Sequence, residues 1–143
     1  MSDVTIEKAR KDDAPYIEEK LKKYILDPDN AAWQQFFVAK CDGKTVAFAR
    51  IIDHVEFFEV ASVGVDYYYR KRGIGCKILV FLAEEAKRLD SHKPIYAVTH
   101  RPGFLGMVGF KEVDSGPAPL EYKKHHKCIL PPSKIKIMKL VSD

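Results

Sequence analysis

Residues 69–76 read Tyr-Arg-Lys-Arg-Gly-Ile-Gly-Cys, and they follow an apolar, β-rich run that stops at Val65. A strand, a basic glycine turn and an immediate helix start form an anion site made of backbone. The first turn of a helix has N–H groups without intrahelical partners, and the helix dipole adds partial positive charge there. Glycines let the main chain approach a phosphate without a Cβ in the way. The chemistry these residues suit is the binding of a phosphate-bearing ligand between Arg70 and Cys76.

The elements that must position this loop are legible on both sides of it. Residues 4–9 alternate as a first strand. Asp12 or Asp13 then caps a helix with Pro15 in its first turn and Ile17, Leu21, Tyr24 and Ile25 on one side. Asp27-Pro28-Asp29-Asn30 breaks that helix, and 31–35 form another short helical turn. Strands over 36–40 and 45–52 flank Asp42-Gly43, a strong hairpin signal. A turn at 53–56 leads into a strand over 57–65. The helix after the glycines spans 75–89, with Ile74, Ile78, Leu82, Ala86 and Leu89 as its apolar stripe. Lys77, Glu84 and Arg88 lie opposite, with Glu84 and Arg88 at ion-pair spacing. Residues 94–99 read as a strand, so strand, helix and strand predict a right-handed parallel crossover. Residues 103–108 hold one or two helical turns, 111–114 a short strand, and Gly116, Pro117 and Pro119 mark a loop. Residues 134–141 close the sheet.

The glycine spacing excludes two common phosphate loops. A Walker loop needs Gly-Lys-Ser/Thr, and here Cys76-Lys77 follows Gly75. A dinucleotide fingerprint wants a small residue where Ile78 stands. Arg70-x-x-Gly73-x-Gly75 instead matches the acyl-CoA loop of the GNAT superfamily of N-acetyltransferases. The resemblance extends to Glu59-Val60-Ala61-Ser62-Val63-Gly64-Val65 as that family's central strand, to Tyr96-Ala97-Val98-Thr99 followed by Gly109-Phe110, and to Ala9-Arg10-Lys11-Asp12-Asp13-Ala14 at the first strand-to-helix junction. It implies an α/β fold with a mixed central sheet: antiparallel N-terminal strands, one parallel βαβ crossover and flanking helices. Residues 1–143 are then expected to form one such domain.

The same resemblance implies acetyl-CoA as co-substrate, a primary amine as acceptor and no metal. Val63, Gly64 and Val65 would pair with the pantetheine, and Arg70, Lys71, Arg72, Gly73, Ile74, Gly75 and Cys76 would hold the pyrophosphate. An amine of pKa ~10.4 is protonated at neutral pH and must shed a proton before it attacks. Glu59 is the first candidate base, since family members place a strand carboxylate there. Period-2 geometry puts it on one face with Ala61, Val63 and Val65, and partial burial would raise its pKa. Glu56 and His54 in the adjoining turn are runners-up. A backbone N–H near Val63 can polarise the thioester carbonyl. Many members carry a tyrosine, as the acid for the leaving thiolate, where this chain has Leu105; Tyr67, Tyr96 and Tyr122 are alternatives, as is unassisted departure.

The segment after Gly109-Phe110 is similar to the C-terminal part of N-acetylglutamate synthase-type domains, which suggests a small amine or amino acid bearing a carboxylate. Arg50, Arg101 or Lys123 would meet that carboxylate. A protein lysine acceptor and a non-catalytic CoA-binding module are the other readings. From Lys123 to Ser142 there are six lysines, two histidines and no acidic residue. They read as a solvated basic face without the interleaved aromatics of a nucleic-acid surface, and His125-His126 lack a third metal ligand at suitable spacing. The cysteines Cys41, Cys76 and Cys128 are odd in number and far apart, no apolar run reaches a membrane span, and the opening residues lack a secretion signal. The expected setting is cytoplasmic, with no nucleic acid or membrane partner and a homodimer left open.

Overall fold

The computed structural model describes residues 4–24, 32–128 and 130–141. Among the described residues, seven strands form one sheet in the order β1-β2-β3-β4-β5-β7-β6. β1 (Val4–Lys8), β2 (Phe36–Cys41), β3 (Lys44–Asp53) and β4 (Phe58–Val65) are antiparallel neighbours. The β2–β3 turn is closed by Asp42 and Gly43, both at positive φ (53° and 78°). That is the conformation for which an Asp-Gly pair is suited. α1 (Ala14–Lys23) precedes β2, with Pro15 in its first turn. Asp13 sits at its N-cap, where its carboxylate accepts the backbone N–H of Arg10 at 2.8 Å. The expected Asp27–Asn30 break, Ile25 and Ala31 lie outside the described residues; Trp33–Gln35 form a 3-10 turn.

α2 (Ile74–Leu89) connects β4 to β5 (Ile95–Thr99), and these two strands are parallel, as the crossover requires. α2 buries Ile74, Ile78, Leu79, Leu82, Ala83 and Ala86 against one face of the sheet. Leu89, expected on that stripe, is 54% exposed, because the helix ends there and its last turn overhangs the core. Arg88 pairs with Glu85 through two 2.7 Å contacts and not with Glu84; the bidentate geometry at three-residue spacing prevails.

The C-terminal part holds α3 (Pro102–Gly106), β6 (Phe110–Glu112), α4 (Ala118–His126) and β7 (Lys136–Leu140), with β7 inserted between β5 and β6. α4 corrects the loop expected around Gly116, Pro117 and Pro119. Pro119 falls in its first turn, where a proline costs no hydrogen bond. The helix is docked by one apolar side chain, Leu120, fully buried with Phe57 and Ile137. α1 and α4 therefore cover the sheet face opposite α2: α1 over Phe36, Val38 and Phe48, α4 beside Tyr96 and Val98.

Candidate active site

Two features of β4 shape its surroundings. The first is its pairing with β5, which covers only Phe58 with Ile95 and Glu59 with Tyr96. From Val60 onward β4 pairs with β3 alone, while Ala97 to Thr99 pair with β7. The strands diverge, and the β5-facing main chain of β4 is open. The second is a bulge. Phe48 pairs with Gly64 and Arg50 with Ala61, so two steps along β3 match three along β4. The extra residue lies at Ser62, whose φ is +54°. The bulge reverses the parity expected for this strand. Val63 and Val65 pack with Val60 on the α2 side, whereas Gly64 abuts Phe48 on the α1 side. Glu59 and Ala61 therefore share a face with Gly64, not with Val63 and Val65.

Beyond Val65 the chain makes a 3-10 turn and enters the glycine loop. Lys71 and Gly73 adopt positive φ (64° and 79°), and Gly73 caps α2. The first bond along α2 is donated by the Lys77 N–H to the Gly73 carbonyl at 3.0 Å. Among the described residues, none of the backbone hydrogen bonds is donated by the amides of residues 71–76. These donors, the basic side chains of Lys71 and Arg72 beside them and the open edge of β4 are contiguous, which suits an anion joined to an extended amide chain. Arg70 is held by contacts of its own. Its Nε donates to the Val65 carbonyl at 2.9 Å and its guanidinium lies 4.7 Å from the Tyr24 ring centre, so it ties the loop back to β4 and α1. Gly75 has a packing reason as well: a Cβ there would lie 3.1 Å from the Phe104 ring.

On the α1 and α4 face, Glu59 is 2% exposed and both of its oxygens are engaged. Oε1 lies 2.9 Å from His54 Nε2, and Lys123 Nζ from α4 lies 2.5 Å from Oε2. Burial is the largest single influence on this carboxyl and pushes its pKa up; the hydrogen bonds and charges of His54 and Lys123 together outweigh it and hold the carboxyl below its usual value. That reverses the expectation that burial would raise it. Arg50, equally buried, donates from Nε to Ser62 Oγ and from Nη1 to Gln35 Oε1, both at 3.1 Å. Of the three cations proposed to meet a substrate carboxylate, Lys123 is committed to Glu59, Arg50 is inside the sheet, and Arg101 is exposed over the Phe104 ring. Glu56 is exposed, while Leu105 is buried in the main core. Tyr67 and Tyr122 are exposed, and Tyr96 packs edge-on against Phe57. The role of Lys123 was hidden in the sequence because it depends on α4, 64 residues from Glu59. Among the described residues no three His, Cys, Asp or Glu side chains come together as a metal site, and no helix is long and apolar enough to cross a membrane.

Residues 32–112 match the acetyltransferase (GNAT) domain family. The chain belongs to the GNAT acetyltransferases. Solved structures with the same GNAT fold include N-acetylglutamate synthase from Neisseria gonorrhoeae, complexed with coenzyme A and N-acetyl-glutamate (TM-score 0.75, 17% identity, 99% of this chain and 36% of that one). Rv2747 from Mycobacterium tuberculosis, in complex with CoA and NLQ, matches at TM-score 0.78 and 21% identity over 97% of this chain and 99% of that one. The ribosomal-protein-S18-alanine N-acetyltransferase from Escherichia coli matches at 0.68 and 18% over 96% and 93%. This GNAT chain thus spans about a third of the synthase's length and nearly all of the other two. No curated protein matches its sequence.

Proposed function

We propose that this protein transfers the acetyl group of acetyl-CoA to the primary amine of a small molecule, with amino acids the favoured class. The observation that carries the reading is the continuity of the open β4 edge, Val60 to Val65, with the unpartnered amides before Lys77. A pantetheine chain has amides spaced to pair with such an edge, and a pyrophosphate suits the helix start. The coenzyme-A complexes of the synthase and of Rv2747 support it. The thioester is already activated, so the protein needs only to align an amine with its carbonyl carbon and remove a proton. In this reading the acceptor approaches from the Glu59 face, and a backbone N–H near the bulge at Ser62, where the β3 ladder is interrupted, meets the carbonyl oxygen.

A second reading, a CoA-binding module without turnover, draws on the burial of Leu105 and on the double engagement of Glu59. Thiol release from acetyl-CoA across amino acids, polyamines and lysine peptides separates the two. Wild type is expected to turn over at least one small amine. Arg72→Glu, which sets an anion beside the loop without crowding Phe104, is expected to raise the KM for acetyl-CoA on the order of tenfold. Coenzyme A binding with no turnover for any amine would leave the module, turnover of lysine peptides alone would move the acceptor class, and absence of coenzyme A binding would end both readings.

A further inference from the structure

We propose that His54 is the group that takes the proton from the acceptor amine, with Glu59 as its positioning residue and Lys123 as the cation that keeps Glu59 ionised. The inference rests on the acetyl-transfer reading above and replaces Glu59 as the proton acceptor.

Glu59 is the wrong atom set for the task. Each oxygen already accepts from a nitrogen, and the carboxylate is sealed from solvent. Accepting a further proton would break a buried ion pair and strand the Lys123 charge. His54 has the complementary properties. An ionised carboxylate only accepts hydrogen bonds, so in the neutral imidazole the 2.9 Å contact puts the ring hydrogen on Nε2 and leaves the lone pair on Nδ1. No hydrogen bond to Nδ1 is made among the described residues. The ring is stacked on Phe57 at 4.4 Å and 13°, which fixes its plane. The backbone beneath it is pinned: the His54 N–H donates to the Phe57 carbonyl, and the Val55 N–H to Asp53 Oδ1, at 2.9 and 2.8 Å. The side chain is 23% exposed, enough to meet a substrate or one bridging water. A neutral imidazole is a proton acceptor, and the resulting imidazolium would face the Glu59 carboxylate.

Among the described residues, three elements bring charged groups to it. Asp53 lies beside it on β3 and is paired with Lys93 at 2.9 Å; Glu59 reaches it from β4; Lys123 of α4 acts through Glu59. In the step proposed, an ammonium gives a proton to Nδ1, directly or through a water, and the freed lone pair forms the C–N bond as the C–S bond breaks. Of the two protons shed as ammonium becomes amide, one ends on the thiol sulfur and the other in solvent.

The test compares pH profiles of wild type, His54→Gln, His54→Asn and Glu59→Gln with acetyl-CoA and the best amine of the panel, alongside melting curves and coenzyme A titrations. Loss of His54 should lower kcat about a hundredfold or more and remove the acidic limb of kcat/KM. Glu59→Gln should lower kcat by loosening the ring but retain the acidic limb, because His54 is still present. Coenzyme A affinity should not change in any folded variant. Histidine 15N spectra of wild type should show the His54 ring hydrogen on Nε2, whatever the turnover. A His54 variant with the wild-type profile, an acidic limb lost only in Glu59→Gln, or a hydrogen on Nδ1 would overturn the assignment while leaving acetyl transfer intact. Coenzyme A binding without turnover of any amine by wild type would instead remove the reading it rests on.

Discussion

Gly64 and Phe48 claim the same space across β3 and β4: a Cβ on Gly64 would lie 2.4 Å from the tip of the Phe48 ring. The glycine inside the central strand is thus explained first by packing. Phe48 in turn fills the layer under α1 with Phe36, Val38, Ile17 and Leu21. Whatever else approaches the open edge of β4 does so on a strand whose position this contact sets.

Gly64→Ala is therefore expected to be destabilising, since the ring is fully buried and cannot swing away. Overpacking of this kind costs about 1–3 kcal/mol. Urea unfolding should show a lowered midpoint with an unchanged slope, and adding Phe48→Leu should restore part of the loss. A neutral Gly64→Ala would mean that β4 relaxes freely at this point.

The Glu59 cluster should make the fold acid-sensitive. Its carboxyl is held below the usual 4.5 by His54 and Lys123, so around and below that pH the unfolded chain binds the proton more readily than the folded one. The stabilisation is complete above pH 4.5 and fades as pH falls toward the folded value. Glu59→Gln should flatten the dependence of stability on pH in that window. Lys123→Met, which leaves a buried carboxylate with one partner fewer, should cost about 3 kcal/mol at pH 7, and that cost should shrink as acid protonates Glu59. Adding Glu59→Gln to Lys123→Met should recover part of that cost in a double-mutant cycle. Equal pH profiles for wild type and Glu59→Gln would refute the account.

Much of this arrangement was legible from short-range signals. Asp42-Gly43 specifies its own turn, and Gly73 marks a positive-φ cap that few other residues tolerate. The 3.6-residue spacing from Ile74 to Ala86 foretold the buried face of α2, because each of these features depends on residues within a turn or two. The bulge at Ser62 was not legible: a serine at positive φ carries no local signature, and one added residue exchanges the faces of everything beyond it. α4 escaped because two prolines and a single apolar anchor read as a loop. With it went the Lys123–Glu59 contact, which brings together an ordinary surface residue type and a strand carboxylate. The glycine loop was visible as a strand-to-helix junction, but not that Arg70 is turned back onto Val65 and Tyr24.

Leu105 offers a check on how far family analogy carries. The phenol expected at this position in relatives would, in this chain, enter a core that already holds Ile74, Phe110 and Met138. Leu105→Tyr is expected to lower stability by about 1–3 kcal/mol through overpacking and an unpaired hydroxyl, without raising turnover. Thermal melts and initial rates on the same preparation measure both. A gain in kcat with unchanged stability would show that the side chain can turn out of the core toward the thioester.

α4 is held to the sheet largely by Leu120, which is fully buried between Phe57 and Ile137, and it is the helix that delivers Lys123 to Glu59. Leu120→Ala should therefore do two things at once. The cavity should cost about 2–5 kcal/mol, and loosening of α4 should weaken the Lys123 contact, so that Glu59 is protonated at higher pH than in wild type. Stability measured at pH 7 and at pH 4 separates the effects: a purely local cavity would lower both by the same amount, whereas coupling through Lys123 predicts the larger loss at pH 7, where the Glu59 carboxylate it stabilises is ionised. Hydrogen exchange should show the same polarity, with the amides of residues 118–126 losing protection while those of α2 keep theirs.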